Sequence, residues 1–176
     1  MKQKIVLIII LFTALIPYTL GQSIGRIDEG ILKGIVNIDG KGTGFLVGRQ
    51  LPGDKSKAKI FLVTNKHMIG QWSLVDSLIP SPSIVAYLYT KDKLTPVTPV
   101  EINIFDKSKN FLPTVKVHQN PKIDIVVIDI TEQVVLTKNL DIKIFDINYL
   151  VPIDSIKNTT FTGIGDQVYA IGYPAG

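Results

Sequence analysis

The 176 residues predict an all-β fold of antiparallel strands, and three observations carry that prediction. The apolar residues come in short groups rich in Ile and Val. Gly, Pro, Asn and Asp punctuate the intervals, and nowhere do ten or more residues keep a clean 3.6-residue apolar repeat. A parallel sheet needs a crossover helix after most strands, so a chain poor in helix returns its strands antiparallel, as in a barrel or sandwich. With 45% hydrophobic and 19% charged residues and a mean hydropathy of +0.28, the chain is too apolar for a disordered tail. Its length fits one domain or two small lobes sharing an interface.

The first element is an address. Met1 to Lys4 carry two lysines, Ile5 to Ile16 form an apolar run of 12, and Pro17 breaks it before Thr19-Leu20-Gly21. This is the order of a secretory signal peptide over residues 1–21, cleaved after Gly21, which sends the mature chain to a secreted or periplasmic location. The run falls short of the roughly 18 residues that span a bilayer, so no membrane span is expected after cleavage. An uncleaved anchor is the competing reading. Cleavage removes Lys2 and Lys4 and no acid, which lowers the net charge from +4 to +2.

The strands follow in order: Ile31 to Ile38, Gly42 to Val47, Lys59 to Thr64, Ile84 to Tyr89, Val100 to Ile104, Val115 to Val117, Ile125 to Ile130 and Gln167 to Ile171. Turn material separates them at Asp39-Gly40, Pro80 to Ser83, Lys107 to Asn110 and Asn120-Pro121. The segment Arg49 to Lys59, with Lys55, Lys57 and Lys59, reads as a solvated hairpin tip.

Several chemistries are excluded by composition. No cysteine is present, so disulfides, thiolate metal sites and a thiol nucleophile are absent. No basic run is interleaved with aromatics, so nucleic acid is not an expected partner. A dinucleotide loop would need glycine at Val47 after Gly42-Thr43-Gly44, or at Val168 after Gly163-Ile164-Gly165. Two histidines 51 residues apart, with no thiolate, make no metal site, and no cofactor is expected.

Imidazole chemistry therefore belongs to His67 or His118. His67 stands just past the apolar strand Lys59 to Thr64, behind the polar tripeptide Thr64-Asn65-Lys66. A histidine there is either a satisfied surface residue or a base aimed by a scaffold strand. His118 lies in the turn-rich Val117 to Pro121, where an exposed loop residue is the simpler reading. Asp124 opens the run Asp124 to Ile130 after a proline-containing turn. It either bonds its own turn or, half-buried, orients a histidine Nδ1 proton and stabilises the imidazolium. Asp129 is the rival carboxylate, expected to face outward into solvent.

Four segments taken in order resemble the trypsin-like serine peptidases of chymotrypsin fold, in particular their secreted bacterial branch. They are Gly42-Thr-Gly-Phe-Leu-Val-Gly48, Phe61-Leu-Val-Thr-Asn-Lys-His67-Met-Ile69, Ile123-Asp124-Ile-Val-Val-Ile128 and Gly165-Asp-Gln-Val-Tyr-Ala-Ile-Gly-Tyr-Pro-Ala-Gly176. The resemblance spans about Ile31 to Gly176. It implies an antiparallel double β-barrel, with the first lobe in residues 22–144 and the start of an incomplete second lobe in 145–176. It also implies His67 as general base, Asp124 as its orienting partner and a polypeptide as substrate.

In that family the nucleophilic serine sits in a Gly-Asn/Asp-Ser-Gly-Gly turn whose N–H groups form the oxyanion hole. After Asp124 this chain has one serine, Ser155, in Ile153-Asp154-Ser155-Ile156 with no flanking glycine. The chain is expected to be truncated before the nucleophile, inactive alone, and poorly stable, with Val168, Tyr169 and Ile171 short of partners. A secreted β-barrel binding protein without catalysis, a pseudopeptidase, is the alternative from a different class. A β-sandwich adhesion or carbohydrate module is a third, to be recognised by wide separation of His67 and Asp124.

Overall fold

The computed structural model describes residues 28–72, 78–91, 95, 98–150 and 171–173. The expected signal peptide, Ser155 and all but Ile171 of the expected strand Gln167 to Ile171 lie outside the described residues. The chain opens on one helical turn, α1 (Glu29–Leu32), because Asp28 Oδ1 accepts the Gly30 N–H at 2.7 Å and caps it. The strand expected from Ile31 therefore begins later: β1 is Ile35–Ile38, with Val36 and Ile38 buried and Ile35 and Asn37 turned outward.

Asp39 and Gly40 reverse the chain with φ of 51° and 68°, the left-handed region that an aspartate tolerates and a glycine occupies freely. Asp39 is fixed there by hydrogen bonds of its N–H and its carboxylate to the main chain of Val85, both 2.8 Å. The long hairpin β2 (Gly42–Leu51) and β3 (Asp54–Thr64) follows. The expected solvated hairpin tip at Arg49 to Lys59 is present, with its strands paired further than a loop: Arg49 pairs with Lys59 and Gln50 with Ala58, and only Pro52-Gly53 turns. The ladder there runs past the core with polar, exposed side chains, so a paired strand has the composition of a loop.

A 3₁₀ turn (Lys66–Ile69) leads into the small hairpin β4 (Gly70–Trp72) and β5 (Leu78–Pro80), which the apolar pattern does not announce. Then come β6 (Ser83–Leu88), β7 (Thr98–Asn103), β8 (Val115–Val117), β9 (Val126–Asp129), the short helix α2 (Thr131–Leu136) and β10 (Phe145–Asp146). Among the described residues, β7, β6, β1, β2, β3, β9 and β8 lie side by side in that order, each pair antiparallel, and β10 adds to β2 in parallel. Pro99, which has no N–H to give a ladder, stands on β7, at one end of this order.

The two ends of the sheet are drawn together. The bridge between Phe105 and Phe111, and the Leu112 N–H donated to the Ile104 carbonyl at 2.9 Å, join the chain leaving β7 to the chain entering β8. Inward residues of β1, β2, β3, β6, β7, β8 and β9 form one core, with Ile38, Leu46, Leu62, Ile84, Ile102 and Ile128 at 1% exposure or less. Each such side chain contributes about 1.5 to 3 kcal/mol by leaving water. The fold is all-β, a half-barrel sheet with few and short helices. Among the described residues no helix is long and apolar enough to cross a membrane.

Candidate active site

The register of β3 against β9 decides which residues meet. Thr64, the last residue of β3, pairs with Val126, the first of β9, and the strands are antiparallel. The chain three residues past Thr64 therefore lies over the chain two residues before Val126, and those positions are His67 and Asp124. They are 57 residues apart in sequence, and their side chains meet with Nδ1 to Oδ2 at 2.6 Å.

The turn that carries His67 is anchored from beneath. Thr64 is buried and its Oγ1 donates to the Thr43 carbonyl at 2.8 Å, while Ile69 is fully buried in the core. The Met68 N–H donates to the Asn65 carbonyl and tightens the turn. Met68 packs against Gly42 of β2, where an added Cβ would collide with the Met68 sulfur, so the glycine admits the turn to the sheet.

Asp124 is surrounded by donors from that turn. Its Oδ1 accepts the His67 N–H at 3.2 Å, and its Oδ2 accepts the Asn65 Nδ2 at 3.2 Å as well as the imidazole. Asn65 Nδ2 also donates to the Asp124 carbonyl at 3.0 Å. Partial burial pushes the Asp124 carboxyl up, but the hydrogen bonds from the His67 ring and N–H, the His67 charge and the Lys66 N–H outweigh it and hold the group below its ordinary value. An ionised carboxylate only accepts, so Nδ1 is the donor of the short bond. The neutral imidazole then keeps its lone pair on Nε2. The His67 side chain is 53% exposed, so the pair sits at the surface with the ring open to solvent. Such an arrangement is able to take a proton at Nε2 and to stabilise the cation formed.

The remaining candidates do other things. His118 extends the β8–β9 ladder by donating its N–H to the Ile125 carbonyl, and its Nδ1 accepts the Asn120 N–H at 3.1 Å. It shapes the loop leading to Asp124. Asp129 lies at the far end of β9, and its side chain is less solvated than expected, 21% exposed. Its Oδ2 pairs with Lys59 Nζ at 3.0 Å, and its Oδ1 accepts the Thr131 hydroxyl at 2.6 Å and the Thr131 N–H at 3.2 Å, where β9 ends and α2 begins. Burial raises its carboxyl, and Thr131 and Lys59 more than offset this, leaving it lowered. A hollow of about 730 Å³ lies at this same end, walled by Leu51, Ile60, Asp129 and Val135, away from His67. Among the described residues no group of three His, Asp or Glu is placed to hold a metal ion.

Two neighbours of the pair escape a reading by motif. Asn65 binds Asp124 directly, and Lys66 is 3% exposed with its Nζ donating to the Asn120 carbonyl at 2.9 Å. The only signal for them is the polar tripeptide Thr64-Asn65-Lys66 between an apolar strand and a histidine. Close by, the Tyr173 N–H donates to Thr43 Oγ1 at 2.6 Å, and its hydroxyl stands 3.3 Å from that of Tyr89. Burial first, and then Tyr89, raise the Tyr173 phenol above its ordinary range. Compared with family models, curated proteins and solved structures, the chain finds no match.

Proposed function

We propose that this chain carries the general base and the orienting acid of an exported trypsin-like serine endopeptidase, the half-barrel sheet being the first of two barrels of chymotrypsin type. The observation that supports the reading is the 2.6 Å contact of His67 Nδ1 with Asp124 Oδ2, in a turn that donates two further hydrogen bonds to the same carboxylate. In the reaction, a serine hydroxyl attacks the peptide carbonyl and gives its proton to His67 Nε2. Asp124 stays ionised, holds the Nδ1 proton and stabilises the imidazolium. His67 then returns the proton to the leaving amine. The reading requires a serine set in a glycine-rich turn whose N–H groups face the oxyanion. The substrate class is polypeptide.

The test is fluorophosphonate labelling of the product of the whole reading frame that contains these residues. A single serine is expected to label, with labelling abolished by His67→Ala and slowed about ten-thousandfold by Asp124→Asn. Labelling that persists unchanged in His67→Ala overturns the reading. A reading frame without a serine in a glycine-rich turn, and without labelling, leaves a non-catalytic binding protein in its place.

A further inference from the structure

We propose that Lys66 is a positioning residue: its buried ammonium clamps the loop that delivers Asp124 and so sets where the carboxylate meets His67. This rests on the reading of His67 and Asp124 as a base and its orienting acid. Lys66 stands between two residues that both bind Asp124, and its own N–H faces the same carboxylate. Its side chain runs the other way, into the protein, and ends on the Asn120 carbonyl at 2.9 Å. That carbonyl also accepts the Ile123 N–H at 3.1 Å, and Asn120 Oδ1 accepts the Lys122 N–H at 3.0 Å. Residues 120–123 are thus one closed turn, and Asp124 is the residue that leaves it. The Asn65 amide and the main-chain N–H groups of Lys66 and His67 grip the carboxylate, and the Lys66 ammonium grips the turn behind it.

The pair needs such a clamp because packing does not hold it. The side chains of His67 and Asp124 are 53% and 44% exposed, and an ion pair in water has little energy of its own to impose a geometry. Lys66, by contrast, is 3% exposed, in a place where an apolar side chain would fill the same space without an ammonium to satisfy. What the ammonium adds is a charge-assisted hydrogen bond at one defined point of the loop.

The experiment uses Lys66→Met, which keeps the length and apolar stem, and Lys66→Gln, which is shorter and uncharged. In ¹⁵N-labelled protein the His67 Nδ1 proton is followed as a low-field resonance, together with the thermal unfolding midpoint; in the product of the whole reading frame the fluorophosphonate rate is added. The expected result is a folded variant whose Nδ1 resonance is displaced or lost. Its labelling is expected to slow about a hundredfold, as a displacement on the order of 1 Å in a reacting group does. An unmoved resonance in either folded variant overturns the assignment, because a purely structural lysine would change the midpoint alone. A wild-type resonance present without any labelling of the product of the whole reading frame counts against the peptidase reading and leaves the clamp standing.

Discussion

Replacing Asp124 by Asn tests the chemistry of the pair with the smallest change of shape. Oδ2 receives the His67 ring and Asn65 Nδ2, and Oδ1 receives the His67 N–H. An amide offers one acceptor oxygen and one donor nitrogen, so one of these positions must now face a donor with a donor. With the amide oxygen at Oδ1, the NH₂ group meets the ring and turns Nδ1 into an acceptor, moving the imidazole proton to Nε2. With the oxygen at Oδ2, the NH₂ group meets the His67 N–H instead and the loop is pushed away. The first arrangement loses the Asn65 bond to that position, although Asn65 Nδ2 keeps the residue 124 carbonyl, and otherwise meets a ring that can change tautomer, so it is the one expected. Since both side chains are more than a third exposed, water makes good most of the lost bonding, and the loss of stability is about 1 kcal/mol, or about 3 °C in Tm for a chain of this size. The assay is long-range ¹H–¹⁵N correlation of the His67 ring, with Tm from circular dichroism. A ring still protonated at Nδ1 in Asp124→Asn, with the fold intact, would refute the reasoning.

Other perturbations have equally definite outcomes. Asp124 and Asp129 both have lowered folded-state pKa values, so their stabilisation is complete above the ordinary carboxylate range and is lost as pH falls through those lowered values. Tm measured from about pH 6 downward is expected to fall less steeply in Asp129→Asn than in the unaltered protein, and parallel curves would contradict this. Leu62→Ala, at 0% exposure in the middle of β3, is expected to cost about 2 to 5 kcal/mol in urea unfolding; a loss under about 1 kcal/mol would mean the core is looser than described. Thr43→Val leaves the Tyr173 N–H without its 2.6 Å acceptor, so faster amide hydrogen exchange at Tyr173 is expected while exchange in β3 is unchanged.

The strands were legible because burial alternates along them: Ile84, Ala86 and Leu88 face in, as do Val100 and Ile102, and Val126 and Ile128. Their ends were less so. Asp28 captures a helical turn ahead of β1 with one hydrogen bond, which no apolar pattern reports, and the β2–β3 hairpin continues where solvent surrounds it. For the site, the positions of His67 after β3 and Asp124 before β9 could be read from the chain. That they meet depends on which strands pair, a property of topology that no local spacing carries. Lys66 was hidden for a different reason: a lysine beside a histidine looks solvated until the turn is seen to bury it.

The outer edge of β2 is completed by two separate pieces of chain. Ile35–Ile38 pairs with Gly42 to Phe45, the Leu46 N–H reaches the Gly34 carbonyl, and Phe145 and Asp146 then take Val47 and Gly48 in parallel. The first piece is a local hairpin and the second arrives about a hundred residues later. As the chain is synthesised, the His67–Asp124 pair is complete once β9 has emerged, whereas the Val47 end of β2 is still waiting for β10. For that interval an apolar strand shows unpaired N–H and C=O groups, the kind of edge that recruits a strand from another molecule. Ribosome-bound chains ending between β9 and β10 should therefore be the species most prone to self-association, with the half-site already assembled.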